Sequence, residues 1–422
     1  MSALERERPG FEALGVVNDT LPTPAREAAS ALVAGCDHVE TEIELAARIA
    51  SKGRLTVKFG IDPTGSFLHL GHAVVLHKMQ QFVEAGHRVV LLIGDFTALI
   101  GDPTGRNDTR PPLTTEAIAE NMREYRAQAG TVLDLERVEI AYNSTWLAPL
   151  TLADMIGLAG QTTLAQMLAR HDFAERQRDG IPIALHEFFY PIAQAYDSVA
   201  MAADIELGGS DQLFNFLMAR TYQHAAGQPK QICLTTPILE GTDGVVRMGK
   251  SRGNYIGLTE AASEQYGKLM SLPDAMIPRY AELADFRSPG DVAALRGGLA
   301  SGALHPMAAK KELAEAIVAR YHDRTAARDA RERFEATVQR REVPREMPEV
   351  VAAGWQTLAD ALVGSGFATS KREAERLVAG GGVKLDGVPA GDPRAHWIAT
   401  EPVVLSVGAR RFARIVPGPA GT

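Results

Sequence analysis

Two stretches of this chain carry residue types suited to phosphate chemistry. The first is DPTGSFLHLGH, Asp62 to His72, in which His69 and His72 flank Leu-Gly where an amphipathic helix begins. The first N–H groups of a helix and its dipole favour an anion. Gly71 offers no side chain there, so a nucleotide can approach the backbone, and the two imidazoles can donate hydrogen bonds to charge developing on a phosphate. A helix start with two water-facing polar residues fits the same letters. Zinc would need further ligands in a frame such as HExxH or CxxC, and neither is in the sequence. The second stretch is GTDGVVRMGKSRGN, Gly241 to Asn254. Read literally, Gly244 to Ser251 spells a P-loop, G-x-x-x-x-G-K-S, and VVLLIGD ending in Asp95 would pass for the aspartate-ended strand of such enzymes. A P-loop, however, runs from a buried strand straight into a helix. Here Gly-Thr-Asp-Gly is a turn, Arg-Gly-Asn starts a helix poorly, and Val245-Val246 stand where the phosphate-wrapping loop should be. What remains is a basic loop in which Arg247 and Lys250 reach phosphates and Gly249 permits the bend, or a loop that is merely solvated.

These stretches need a frame. LTVKFGIDP reads as a short strand running into a loop. In HAVVLHKMQQFVEA, residues 72 to 85, Val75, Leu76, Met79, Phe82 and Val83 fall at helical spacing, and Gly86 follows. HRVVLLIGD then reads as a buried parallel strand, which completes a βαβ unit. Asp211 to Ala226 reads as a further helix and QICLTTPILEG as a further buried strand. The first fifty residues read as helical, ETEIELAARIASKG most clearly. Residues 1–255 are therefore expected to form an α/β domain with a parallel sheet. From about residue 259 strand signals stop, and residues 256–345 read as a helical domain. REVPREMPE, residues 341–349, reads as a linker because two prolines interrupt helix. Residues 350–417 form a third, small α+β unit. There Ser370 and Glu373 make an S-x-x-E capping box ahead of KREAERLVA, GGG ends that helix, and VKLDGVPA reads as a hairpin around Asp386-Gly387.

Composition narrows the class. With 422 residues, 45% hydrophobic and 23% charged, the chain is an ordinary globular protein of two or three domains. Its two cysteines, Cys36 and Cys233, make neither a disulfide framework nor a zinc site alone, so a reducing cytoplasm is expected. MSALERERPG has no apolar run and no signal peptide is expected there. The longest apolar stretch, Val89 to Ile93, is too short to span a bilayer, so no membrane partner is expected. The net charge of −8 excludes a chain coated in basic residues but leaves room for a local nucleic-acid patch. Residues 350–422 supply one, with eight Lys/Arg against six Asp/Glu. Lys371, Arg372 and Arg376 fall opposite Ala374, Leu377 and Val378 on the expected helix. A solvated, salt-bridged face is the rival reading there, and also for the stripe Arg320, Arg324, Arg328 and Arg331 beside Asp323 and Glu332.

HLGH followed by RMGKS, on an α/β frame, resembles the two signatures of class I aminoacyl-tRNA synthetases. GDFTALIGDPTGRNDTRPPLT, YPIAQAYD and GGSDQ between them are similar to the tyrosyl-tRNA synthetases, in the bacterial branch with a GDFT stretch. The resemblance covers about residues 35–415. It implies a Rossmann-like catalytic domain, a helical tRNA-binding domain and, at SKREAERLVAGGGVKLDG, an S-four RNA-binding domain. The implied activity is tyrosine–tRNA ligation: the tyrosine carboxylate attacks the α-phosphate of ATP, pyrophosphate leaves, and the adenylate passes tyrosine to the terminal ribose of tRNA(Tyr). Magnesium is implied with ATP, a structural metal is not, and a homodimer is inferred from the family.

The family's site residues map one by one. His69, His72, Arg247 and Lys250 would be catalytic. His69, Gly71, His72, Gly209, Asp211, Met248, Lys250 and Ser251 would bind ATP, with Asp211 on the ribose. Asp102, Tyr190 and Gln194 would hold the α-ammonium group of tyrosine, Gln212 would lie by its carboxylate, and Asp197 would accept from its phenol. Tyr190, Gln194 and Asp197 sit at i, i+4 and i+7, so one helix face presents all three. An amphipathic core helix fits the same spacing, but a buried Asp197 needs a partner. Arg106, Arg110, Lys371, Arg372, Arg376 and Lys384 would meet tRNA. The chain departs from the better-studied branch in having Lys58 for a tyrosine near the phenol, Arg247 for lysine, Gly249 for serine, and Leu213-Phe214 for tryptophan and glycine. Two other readings keep part of the pattern. A paralogue for another amino acid or acceptor would alter Asp197 or the tail, and a non-catalytic RNA-binding protein would lose His69, His72, Lys250 or Asp211.

Overall fold

The computed structural model describes residues 21–63, 67–103, 114–339, 347–352, 355, 357–394, 401–408 and 411–417. The chain divides into two compact units, one of residues 1–260 and 271–313, the other of residues 261–270 and 314–422.

The first unit is organised by six strands: β1 (His38–Val39), β2 (Thr56–Ile61), β3 (Arg88–Ile93), β4 (Val138–Tyr142), β5 (Ile205–Gly209) and β6 (Ile232–Thr236). Their order is β1-β6-β5-β2-β3-β4, all parallel except the antiparallel edge pair β1–β6. The interior strands read TVKFGI, RVVLLI, IELGG and ICLTT because both faces of a parallel sheet are covered. Val89, Val90, Leu91, Leu92 and Ile93 are all buried, worth roughly 1.5–3 kcal/mol each against exposure. From β2 the chain builds outward through β3 to β4, then returns to the other side of β2 with β5 and β6. That reversal is where α/β sheets open a crevice beyond the carboxyl ends of their strands.

The helix Leu70–Glu84 connects β2 to β3, and its Val75, Leu76, Met79, Phe82 and Val83 are buried as the spacing predicts. Phe189–Ala200 precedes β5, and Leu213–Ala225 joins β5 to β6 after a short 3-10 turn at Ser210–Gln212.

In the second unit, helices Ala262–Met270 and Arg324–Phe334 meet through the Tyr266 and Phe334 rings, 5.5 Å apart. A second sheet follows, made of β7 (Glu349–Ala352), β8 (Val383–Leu385), β9 (Val388–Pro389), β10 (Val403–Val407) and β11 (Arg411–Pro417), in the order β7-β11-β10-β8-β9. With helices Leu358–Gly364 and Lys371–Ala379 it encloses its own core, including Leu362, Ala374, Val378, Leu405 and Ile415. The β8–β9 hairpin turns at Asp386 (φ 46°) and Gly387 (φ 83°), the left-handed pair that an Asp-Gly turn supplies. The capping box at Ser370 is only half formed. Ser370 Oγ accepts from the Glu373 N–H at 3.3 Å, but the Glu373 carboxylate turns to the backbone N–H and hydroxyl of Thr369. Thr369 offers that carboxylate two donors, its N–H and its hydroxyl, where the box offers one.

Candidate active site

A cavity of about 300 Å³ opens in the crevice and is lined by the C-terminal ends of β2, β3 and β5 and by the helix Phe189–Ala200. It is walled by acidic and amide side chains, each held by neighbours.

One of them is Asp197. It is buried, and its two oxygens accept from Trp146 Nε1 at 2.7 Å and Asn143 Nδ2 at 3.3 Å. Burial pushes its carboxyl up to about 6, against the pull of the nearby Lys58 charge and the two donors. Lys58 is fully buried in the same wall and pairs with Glu206 at 2.9 Å. A second carboxylate of the lining, Asp102, accepts from Gln212 Nε2 at 3.0 Å and stands 3.5 Å from the buried Arg170 guanidinium. Tyr190 lies nearby, its phenol pushed up by burial and then by the Asp102 charge. Asp62 accepts from Thr97 Oγ1 at 2.8 Å, and burial followed by the Asp102 charge raises its carboxyl to about 7. Gly94 is required beside it, since a Cβ there would fall 2.0 Å from Asp62 Oδ1.

The phosphate-directed signatures meet on the same unit. His69 pairs with Gly257 in an isolated antiparallel bridge, flanked by Leu70 N–H to Ile256 O at 3.0 Å and Leu258 N–H to Leu68 O at 3.0 Å. The bridge brings HLGH beside the chain that follows RMGKS. A Cβ on Gly71 would sit 3.7 Å from Met248 Cβ, and Lys250 Nζ lies 5.5 Å from the Phe67 ring centre. The imidazoles of His69 and His72 are 3.9 Å apart. Burial lowers them to about 2 and about 4, so both are neutral donors at working pH. His72 Nδ1 accepts from the His69 backbone N–H at 3.3 Å, which puts the His72 proton on Nε2. Arg247 reaches Asp211 at 3.0 Å, and burial raises the Asp211 carboxyl while Arg247 opposes that shift. No helix follows Gly249; Lys250–Arg252 form one 3-10 turn, which agrees with the rejection of a P-loop.

Of the sequence-derived residues, His72, Asp102, Tyr190, Gln194, Asp197, Gly209, Asp211 and Gln212 line the cavity. His69, Gly71, Arg247 and Met248 adjoin that set through the contacts above, and Lys250 stands over Phe67. Lys371, Arg372, Arg376 and Lys384 lie exposed on the second unit, with Lys371 paired to Asp360 at 2.7 Å. Arg106, Arg110 and the side chain of Ser251 lie outside the described residues. Sequence reasoning missed Thr97, Asn143, Trp146, Arg170, Glu206 and Asn215. Glu206 was within reach: a glutamate in the apolar strand IELGG matches the lysine in TVKFGI, and the two face each other in register.

The family described as tRNA synthetases class I (W and Y) matches residues 50–339, and the S4 domain matches residues 356–395. A tyrosine–tRNA ligase of Bordetella pertussis is 48% identical over 399 residues, 93% of this chain and 97% of that one. The tyrosine–tRNA ligase of Moorella thermoacetica is 48% identical over 89% of this chain and 91% of its own length. Among solved structures, the tyrosyl-tRNA synthetase of Archaeoglobus fulgidus complexed with L-tyrosine superposes with a TM-score of 0.61 at 24% identity. It covers 73% of this chain and 99% of that one.

Proposed function

The chain belongs to the tyrosine–tRNA ligases of the class I tRNA synthetases, which join tyrosine to tRNA after activating it with ATP, and we propose that the cavity at the sheet's switch point is where it does so. The observation that carries the assignment is the presence in one cavity of two carboxylates with separate sets of partners, Asp197 beside Trp146 and Asn143, and Asp102 beside Arg170 and Gln212. Tyrosine has one donor group at each end, a phenol O–H and an α-ammonium. Its phenol is read by Asp197 and its α-ammonium group by Asp102, Tyr190 and Gln194. Gln212 lies toward the carboxylate, and Asp211 and Gly209 toward the ribose.

That carboxylate is already ionised at neutral pH, so activation needs no general base. The work left to the protein is to align carboxylate and α-phosphate and to stabilise charge on the leaving pyrophosphate. Neutral His69 and His72 donate from the helix start with Gly71 between them, and Arg247 and Lys250 add positive charge. Met248 and Ser251 complete the ATP contacts. ATP enters as substrate with Mg²⁺ on its phosphates. Among the described residues no three His, Cys, Asp or Glu side chains converge as a metal cage.

We divide the chain into a catalytic domain (1–255), a helical tRNA-binding domain (256–345) and an S4 domain (350–417). Arg372, Arg376, Lys371 and Lys384 of the last, with Arg106 and Arg110, meet tRNA(Tyr). A homodimer is supported by Leu152, Ile156 and Leu164, apolar side chains left 78%, 66% and 62% exposed on two short consecutive helices. Two free thiols suit a cytoplasmic enzyme, and among the described residues no helix is long and apolar enough to cross a membrane. Tyrosine-dependent ATP–pyrophosphate exchange tests the assignment. Exchange should require tyrosine, and exchange that proceeds equally with another amino acid would overturn it.

A further inference from the structure

One wall of the cavity rests on a complementary pair of buried charges. Lys58 on β2 stands in register with Glu206 on β5, the two side chains 0% and 1% exposed. Lys58 Nζ also donates to Ser198 Oγ at 2.7 Å and to the Gln194 carbonyl at 3.3 Å. Burying two ions in an apolar sheet is costly, and a hydrophobic pair would serve the core at least as well. The pair therefore has to be explained by what it holds.

Glu206 accepts from Ser198 Oγ at 3.1 Å, from Gln231 Nε2, and from Gln194 Nε2 at 3.2 Å. An ionised carboxylate accepts and never donates, so Gln194 has to turn its NH₂ toward Glu206. Its oxygen then faces Asn215 Nδ2 at 2.8 Å. Asn215 Nδ2 also donates to Gln212 Oε1 at 2.9 Å, while Asn215 Oδ1 accepts from Arg170 at 3.4 Å. Gln212 closes the run by donating to Asp102 Oδ2 at 3.0 Å. The run Glu206–Gln194–Asn215–Gln212–Asp102 thus ends at both sides on groups that only accept. Its middle meets a guanidinium that only donates. No one of the three amides can flip without setting donor against donor or acceptor against acceptor.

We propose that Glu206, neutralised by Lys58, is a positioning residue for amino-acid recognition: it fixes the Gln194 carboxamide so that its oxygen, and not its NH₂, is offered to the α-ammonium group. The proposal rests on the reading that Asp102 and Gln194 hold that group. Gln194 Oε1 spends one lone pair on Asn215 and keeps a second for a cation. A flipped carboxamide would present N–H groups to an ammonium and replace an attraction with a repulsion. Lys58 pairs with the Glu206 carboxylate at 2.9 Å, so the two together leave no net charge in the sheet.

Glu206→Gln keeps the shape but can donate as well as accept, so Gln194 loses one of its two anchors and is oriented from the Asn215 side alone. It also leaves Lys58 without its partner, so the double variant Lys58→Met/Glu206→Gln is measured beside it. Two competitive inhibitors of tyrosine-dependent pyrophosphate exchange serve as probes. Tyramine keeps the ammonium and the phenol; 3-(4-hydroxyphenyl)propionate keeps the phenol and the carboxylate but has no ammonium. In both variants the tyramine inhibition constant should rise about tenfold more than the propionate constant, the worth of one charged hydrogen bond, because both probes carry the phenol that Asp197 reads beside Lys58 and only tyramine carries the ammonium. Equal weakening of both probes would show general support of the cavity and overturn the proposal. Unchanged tyramine binding would show that Gln194 is oriented elsewhere and would also overturn it. Asp102→Asn separates this from the underlying reading: it should weaken tyramine and spare the propionate, and if it spares both, the ammonium assignment itself is wrong.

Discussion

The cavity and the basic helix of the second unit both depend on charged residues and treat them in opposite ways. In the cavity, Lys58, Glu206 and Asp197 are removed from water and fixed by named partners. On the helix Lys371–Ala379, Lys371, Arg372 and Arg376 point to solvent over a face of Ala374 and Val378, and the one buried-side demand is apolar. Buried charges are weakly screened, and their hydrogen-bond polarity discriminates between ligands that differ by a single donor. Exposed charges attract a phosphate backbone at a distance, discriminate little, and are weakened by salt. The first arrangement suits choosing an amino acid and the second suits holding a polynucleotide.

The widest split should come from a pair of changes. Lys250→Ala should slow pyrophosphate exchange by about 100-fold or more while tyrosine binding stays nearly constant, because a loop lysine over Phe67 meets phosphate charge mainly in the transition state. Removal of residues 350–422, which carry their own core, should do the reverse: exchange within about twofold of the full chain and tRNA charging severely reduced. A folded truncation that loses both activities would break the comparison, and wild-type exchange in the lysine variant would remove RMGKS from the site.

Asp197→Ala should come next. It deletes the acceptor on which Trp146 and Asn143 converge. The ratio of kcat/KM for tyrosine over phenylalanine in exchange should fall by about 30-fold, matching about 2 kcal/mol for one buried bond. A ratio that survives would place the phenol elsewhere.

pH sharpens the same point. Asp197 must be ionised to accept from a phenol while two donors already face it, and burial has raised its carboxyl to about 6. Tyrosine affinity should fall by up to about tenfold per unit below that pH, and Asp62, raised to about 7 in the same cavity, adds a further inflection near neutrality. His69 and His72, lowered to about 4 or less, add no inflection near neutrality. A flat KM for tyrosine from pH 5 to 8 would count against the assignment. The smallest effect belongs to the helix: Arg372→Ala should weaken tRNA by only a few-fold at low salt, as one phosphate contact among several.

The sequence made much of this legible, and the reasons are local. β2, the Leu70–Glu84 helix and β3 carry strong apolar periodicity and emerge at nearly the expected residues. The cavity residues Asp102, Tyr190, Gln194, Asp197 and Gln212 were reached through short motifs, and Tyr190, Gln194 and Asp197 do share one helix. Trp146 and Asn143 were not legible, since nothing in AYNSTWLAPL marks either as a partner of a carboxylate some fifty residues onward. Arg170 and Asn215 were hidden for the same reason: their roles exist only once the sheet brings distant segments together. Ser370 shows the complementary case. The capping motif was read correctly as a helix start, but Thr369 captured the return bond from Glu373.

The contrast between the two regions is tested most directly by measuring both in one enzyme as salt is raised from about 50 to about 200 mM. The KM for tRNA in charging should climb steeply, with a log–log slope set by the number of phosphate contacts. The KM for tyrosine in pyrophosphate exchange should change by less than about twofold, because its charges are buried and paired. Parallel slopes for the two substrates would contradict the account.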